Sequence, residues 1–549
     1  MLHCLEEVLS LTKELVHTES IVNSAGEQVL AEQIYSQIKT WSYFAQHPDQ
    51  VRCIQTVNDH IPRSNVLACV RGTKTNSART IILMGHIDTV GIDDYGQLKD
   101  LACRPGHLMD ALRNESLPSS IQQQLESGEW LFGRGVLDMK SGVASNLYLL
   151  RYYAEHPEEL AGNLVLIAEC DEEDSSHGIL SALYPLQEWK EQYGFDYIAA
   201  INSDLVSPRY EGDENRYVYK GTVGKLLPSF YITGAETHVG ASFEGLDPNF
   251  LASELTRLID YNPDLCDEAY GEITAPPISL KQMDLKPSYT VQTALAAYVY
   301  YNFLVYSSSP KDVLEKLKGY AAQAFDNALA LFEQRYRAYC KQSGEPYQQV
   351  PWTTRVYTYE ELNAELTAEW GEAYTHHMEA YRQKLVQDAS LDSRMYAARV
   401  VEEAWKWMKD TRPAIIVFYS SIYSPRVELT EQTEKERQLS AALEDAVAYV
   451  QPHYQHPIQI RHFFPYISDM SFVALSDDEE SIRSEAANNP AFGYKYTVDY
   501  DAIRALNVPV INVGPYGYDP HKKYERAEKT FSLEIVPNIT HRIISTLLA

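Results

Sequence analysis

Short apolar runs alternate with helix-periodic stretches in the first part of the chain. Residues 3–17 and 26–41 carry apolar positions at helical spacing, as in Val29, Ile34, Ile38 and Trp41, with Asn23 and Ser24 as capping residues before the second. Extended runs follow at 65–70 and 80–84, the second running into His86. Residues 91–130 are polar and irregular and read as a long loop or insertion. A helix through Leu150 is then expected, followed by a strand at 163–168, a helix near 178–190 and a strand at 196–202. Strand and helix in alternation predict an α/β fold, a mostly parallel sheet covered by helices.

The texture changes near Lys220. A strand at 225–233, a helix from about Pro248 and a strand-like run at 290–306 precede a helix opened by Ser309-Pro310, whose apolar stripe is Val313, Leu317, Tyr320, Ala324, Ala328 and Leu331. Thr358 and Glu361 have the spacing of a capping box for another helix, and 391–409 reads as one more. From Arg412-Pro413 the first texture returns, with a buried strand at 414–419, a helix at 431–450 and a strand at 508–513. The expectation is an α+β domain, 221–411, inserted into an α/β domain made of 1–220 and 412–549. A chain of 549 residues, 45% hydrophobic, has the length and apolar content for two such units.

Charge and cysteine usage narrow the partners. A formal net charge of -29 argues against nucleic acid or an anionic membrane as a binding surface. Seven scattered cysteines with no CxxC spacing predict reduced thiols and a cytoplasmic setting. The N-terminal segment is amphipathic and acidic rather than signal-like, and the most apolar long run, 291–306, is too short to span a bilayer.

Chemistry enters at the strand ends, because ligands of open α/β sheets bind beyond the carboxyl ends of the strands. His86 closes one strand, Asp171-Glu172-Glu173 follows a second, Asp204 a third, and His521 lies beyond the last. Asp138 sits in Gly133-Arg134-Gly135-Val136-Leu137-Asp138-Met139-Lys140-Ser141-Gly142, a glycine-bearing turn ahead of an apolar helix. Alone, His86 or Asp138 reads as a structural histidine or a turn acid, and the acidic run at 171–174 as a solvated loop. An acidic run directly after a strand as apolar as 164–168 is hard to place in solvent, however, and the five residues form one nitrogen and oxygen donor set. His86, Asp138, Glu173, Asp204 and His521 suit Zn²⁺ or Co²⁺ better than Ca²⁺. They suffice for two ions if Asp138 bridges, with the ions about 3.5–4 Å apart. Asp88 is spaced to hold the other imidazole nitrogen of His86, and Glu172 to act as general base. His238 follows a strand in a loop, and His376-His377 belongs to a solvent-facing helix.

Together these stretches resemble the dinuclear zinc amidohydrolases and peptidases that include acetylornithine deacetylase, succinyl-diaminopimelate desuccinylase, aminoacylase and carboxypeptidase G. The matching segments are GHIDTV (85–90), GRGVLDMKSG (133–142), DEE (171–173), Asp204, GAETHVGASFEGLDPN (234–249) and GPYGYDPHKKYERA (514–527). The resemblance implies two Zn²⁺ per chain, with Co²⁺ or Mn²⁺ as substitutes: His86, Asp138 and Asp204 on one ion, and Asp138, Glu173 and His521 on the other. It implies Glu172 as general base, Asp88 as the partner of His86, and His238 in a lid domain, often donated by a dimer mate, at the oxyanion. The expected substrate is an N-acyl amino acid or small peptide cleaved at its amide bond. A noncatalytic binding protein of the same fold and an aminopeptidase are the alternatives. Three features depart from the family: a lid lengthened by helices between 310 and 410, Tyr300-Tyr301-Asn302-Phe303-Leu304 where a lid arginine is usual, and Phe464-Pro465-Tyr466-Ile467-Ser468-Asp469 in place of a glycine-rich turn. The long form resembles the arginine-utilisation RocB branch.

Overall fold

The computed structural model describes residues 1–548, which divide into two compact units. The first comprises residues 1–222, 427–476 and those from 498 onward, and the second comprises 223–426 and 477–497.

An eight-stranded sheet forms the centre of the first unit, in the order Val51–Gln55, Ser64–Arg71, Asn163–Glu169, Arg79–His86, Asp196–Asn202, Val510–Asn512, Arg216–Tyr219, Ile458–Arg461. Its four central strands, from Asn163–Glu169 to Val510–Asn512, are mutually parallel. Antiparallel pairings flank them on both sides, but four of the sheet's seven strand pairings are parallel, so the sheet is mixed with parallel pairing in the majority, as expected. The parallel centre is the part from which His86, Asp171–Glu173 and Asp204 emerge. Every residue of Asn163–Glu169 is buried, as expected of a strand covered on both faces, and this explains its unbroken apolar run. Ser24 caps Ala25–Lys39 by accepting the Gly26 N–H.

Residues 91–130 are not an irregular loop. They fold into a 3₁₀ stretch, Asp93–Leu101, and two helices, Pro105–Leu112 and Ser119–Ser127. Tyr95, Leu108, Leu112, Ile121 and Leu125 pack there against Phe132, Val136 and Leu137. Helices this short give the apolar period too few turns to register in sequence.

The second unit has its own sheet, in the order Ile278–Asp284, Ala296–Val305, Pro228–Thr233, Ala414–Tyr419, Val356–Thr358. Against it pack long helices. Pro310–Ser343 starts at a capping box of Ser309 and Asp312, and Tyr359–Trp370 at the expected box of Thr358 and Glu361. Glu372–Leu385 and Ser393–Trp405 follow. The boundary expected at 412 is displaced: Ala414–Tyr419 pairs antiparallel with Pro228–Thr233 and belongs to this unit, which continues to 426 and regains 477–497. A continuous apolar strand buries equally well in either sheet, so its pattern does not name its partner.

Among the described residues no helix is long and apolar enough to cross a membrane, and all seven cysteines are free thiols. Leu166, fully buried in the central strand, is a sensitive point of the first unit. Replacing it with alanine is expected to cost about 2–5 kcal/mol, read as a lower urea midpoint at unchanged slope.

Candidate metal centre

Each functional side chain is delivered by a strand end or a held turn. His86 is the last residue of its strand, in register with Glu169, and the Ile87 N–H donates to the Glu169 carbonyl (2.7 Å). Asp138 sits on the turn before the helix Lys140–Glu155, where Gly135 takes a left-handed φ of 78°. Gly142 lets the helix close on the neighbouring strand end, since a Cβ there would lie 2.2 Å from the Ser203 carbonyl oxygen. Asp204 is tied to the adjacent strand, its N–H donating to Asn512 Oδ1 (3.0 Å) and its carboxylate accepting the Leu205 N–H (2.7 Å).

Donor atoms of His86, Asp138 and Glu173 all lie within 4.8 Å of one another. The two oxygens of Asp138 face different imidazoles: Oδ1 is 3.1 Å from His86 Nε2, and Oδ2 is 2.9 Å from His521 Nε2. His521 Nε2 also stands 3.1 Å from Glu173 Oε1, and Glu172 Oε2 is 3.8 Å from His86 Nε2. Asp88 lies behind the ring, with Oδ1 at 3.6 Å and its carbonyl oxygen at 3.1 Å from His86 Nδ1. Its carboxylate does a second thing absent from the sequence reading: it accepts the N–H groups of Glu172 (3.2 Å) and Glu173 (3.1 Å). His86, Asp88, Asp138, Glu172, Glu173 and His521 therefore converge, while Asp204 is near enough to feel the charges of Asp138 and His86. His238 belongs to the second unit, where it is exposed and its Nδ1 accepts the Gly240 N–H at 3.0 Å. His377 pairs with Glu403 (2.7 Å) and touches none of these groups.

Burial makes the electrostatics severe. Burial, then the charge of Asp138, pushes Asp204 up to about 8, and Glu172 and Glu173 are also raised, chiefly by loss of water. Burial works against Asp138 as well, but hydrogen bonds to His521 and His86 outweigh it and hold its carboxyl well below the usual range. Burial opposes the His521 charge, yet Asp138 and Glu173 bring it up to about 10, and Asp138 and Asp88 likewise raise His86. Carboxylates crowded to this degree, with imidazole nitrogens turned toward the same oxygens, fit divalent cations: neutral imidazole and ionised carboxylate are the ligand forms that a metal would select.

Further residues shape the centre without having stood out in sequence. Glu525 is fully buried, and one oxygen accepts the Leu137 and Asp138 N–H groups (3.1 and 3.3 Å) while the other binds Arg134 at 2.6 Å. Arg526 likewise pairs with Asp519 (2.6 Å), two residues before His521. Both lie inside the segment 514–527, where the only signal was the motif itself. Glu169 and Asp469, buried close to His86 and Asp88, carry raised carboxyls, with burial the main cause.

Buried carboxylates and two imidazoles gathered at the carboxyl edge of a sheet's parallel strands are the construction of a metal-dependent hydrolase. Residues 82–479 match peptidase family M20/M25/M40. The chain is 34% identical over 543 residues to protein RocB of Bacillus subtilis, covering 99% of this chain and 95% of that one. It is 35% identical over 547 residues to YqjN of the same organism, covering 99% and 96%. In fold it is similar to an M20 family metallo-carboxypeptidase of Sulfolobus solfataricus, with a TM-score of 0.52, 10% identity and 99% of each chain covered. The chain belongs to peptidase family M20/M25/M40, matched over residues 82–479, as the family resemblance led one to expect.

These charge states set a pH dependence. Without metal, Asp204 keeps its proton from the ordinary 3.8 up to about 8, and His521 keeps its own from 6.5 up to about 10. The native state then binds more protons than the unfolded chain, so stability of the chelated protein falls as pH rises through both windows. Urea melts with chelator present should show midpoints declining from about pH 6 to about pH 9, and metal uptake in weak buffer should acidify the solution. A midpoint rising over that range, or uptake without proton release, would contradict these charge states.

Proposed function

We propose that this protein hydrolyses the amide bond of an N-acyl amino acid or small peptide at a centre of two divalent ions, Zn²⁺ by the donor chemistry, with Co²⁺ or Mn²⁺ able to substitute. One observation carries the reading: the oxygens of Asp138 are divided between His86 and His521, as a bridging carboxylate requires. His86, Asp138 and Asp204 would hold one ion, and Asp138, Glu173 and His521 the other. When bound, the ions supply Lewis-acid polarisation of the carbonyl and a water of lowered pKa.

The remaining work belongs to the chain. Glu172, whose side chain is 13% exposed, takes the proton from the attacking water at Oε2 and passes it to the departing amine. Its raised affinity for a proton suits both halves of that task. Asp88 orients the His86 ring and, through the amides of Glu172 and Glu173, aligns base and ligand together. The second unit is assigned the part of lid, with His238 as a donor to the oxyanion, in a homodimer from the partner. Full-length similarity to RocB supports the resemblance to the arginine-utilisation branch and directs the substrate search to acylated arginine and arginine dipeptides.

Glu172→Gln is expected to retain two metal equivalents and lose about 10²–10⁴-fold in turnover, whereas Asp138→Ala should lose metal. Elemental analysis of both variants, with a panel of N-acyl amino acids and dipeptides, measures this. A Gln variant as fast as the parent on every cleaved amide would remove Glu172 from the mechanism.

A further inference from the structure

Arg63 is fully buried, and carboxylates ring its guanidinium. Nε and Nη2 donate to Asp59 (2.6 and 3.1 Å), and Nη1 to Glu27 (3.1 Å), with Asp171 Oδ1 at 2.9 Å. Asp171 immediately precedes the proposed base and ligand, and its φ of 67° is one that a residue other than glycine holds only where its surroundings over-determine it. They do so here. The Asp171 N–H donates to Glu27 (3.0 Å), its carbonyl accepts the Ser176 N–H (2.7 Å), and Oδ2 accepts the His177 N–H (3.0 Å) and faces His177 Nδ1 at 2.6 Å.

Asp59, Asp171 and His177 are close enough together to suggest a second metal site. A guanidinium already lies between the two carboxylates, and an added cation would have to displace it from three acids at once. The cluster therefore acts through its own arginine.

We infer that Arg63 is a positioning residue for the metal centre: with Glu27 it clamps Asp171 from one side while Asp88 holds the next two amides from the other, and the two clamps together aim Glu172 and Glu173. This rests on the assignment of Glu172 and Glu173 made above. Arginine suits the place because one planar fork reaches three carboxylates in fixed directions, which the single ammonium of lysine does not. A purely structural cluster would lower stability when broken but leave the ligands where they are. A positioning cluster changes the centre itself.

Full-length Asp171→Asn and Arg63→Lys separate these cases. Asparagine tolerates the left-handed backbone, so the first variant removes the ion pair without removing the turn. The readouts are Co²⁺ stoichiometry and affinity by equilibrium dialysis, the visible spectrum of the Co²⁺ protein, and the urea midpoint. Lys220→Met, which removes a buried ammonium bonded to buried Ser440 and paired with the exposed Glu431 and Glu444 elsewhere in the same unit, serves as the control for lost stability alone. Both test variants are expected to bind at least one Co²⁺ equivalent about 10–100-fold more weakly and to alter the spectrum, while the control alters neither. Parental affinity and spectrum in whichever test variant folds would overturn the inference and leave Arg63 a structural residue. No metal uptake by the unaltered chain would instead overturn the reading of the centre, and this inference with it.

Discussion

Carboxylates placed where water does not reach them are the constraint around which this protein is arranged. The strands that carry His86, the Asp171 turn and Asp204 are apolar through their centres and buried at their carboxyl ends, so whatever follows them starts inside the protein. Charges gathered there repel through a low dielectric, and the chain compensates them in two ways. Within the centre, the imidazoles of His86 and His521 and a few backbone N–H groups face the acids. Around it, arginines offset the charge of carboxylates that support the turns: Arg63 beside Asp171, Arg134 with Glu525, Arg526 with Asp519. Those guanidiniums address acids outside the proposed ligand set, which leaves the proposed ligands without arginine partners.

That division accounts for how fully the turns bearing the proposed ligands are specified. A ligand on a loose loop loses affinity to the entropy of ordering it. Here the Asp138 turn is held by Glu525, the His521 loop by Arg526, and the Glu172–Glu173 turn by Asp88 on one side and Asp171 on the other. Apolar packing then fixes the supports, since the helices between residues 93 and 127 close over Phe132, Val136 and Leu137 beside the Asp138 turn. Packing, ion pairing and ligand geometry at this point are one construction.

The second unit follows different rules. Its mostly antiparallel sheet and long helices bury a core of their own, built from residues such as Tyr298, Tyr396, Val401 and Phe418. Two of the helices that enlarge it were visible from the residues that open them, because Ser309-Pro310 and the pair Thr358 and Glu361 act within one turn of chain and need no distant partner.

Locality also separates what was legible in the sequence from what was not. The strands ending at His86, Glu169 and Asn202, the capped helices, and the donor types at each strand end were readable, because burial on two faces and hydrogen bonding within a turn imprint themselves on neighbouring residues. Short helices in 91–130 were missed, since two turns of amphipathic chain barely depart from an irregular polar segment. The sheet to which Ala414–Tyr419 belongs was settled only by tertiary pairing, as any covered strand reads alike. So were the partners of Arg63, Arg134 and Glu525, and the second duty of Asp88. A buried charge chooses its counterpart by proximity in space, and across separations such as the 391 residues between Arg134 and Glu525 nothing in the local pattern records that choice.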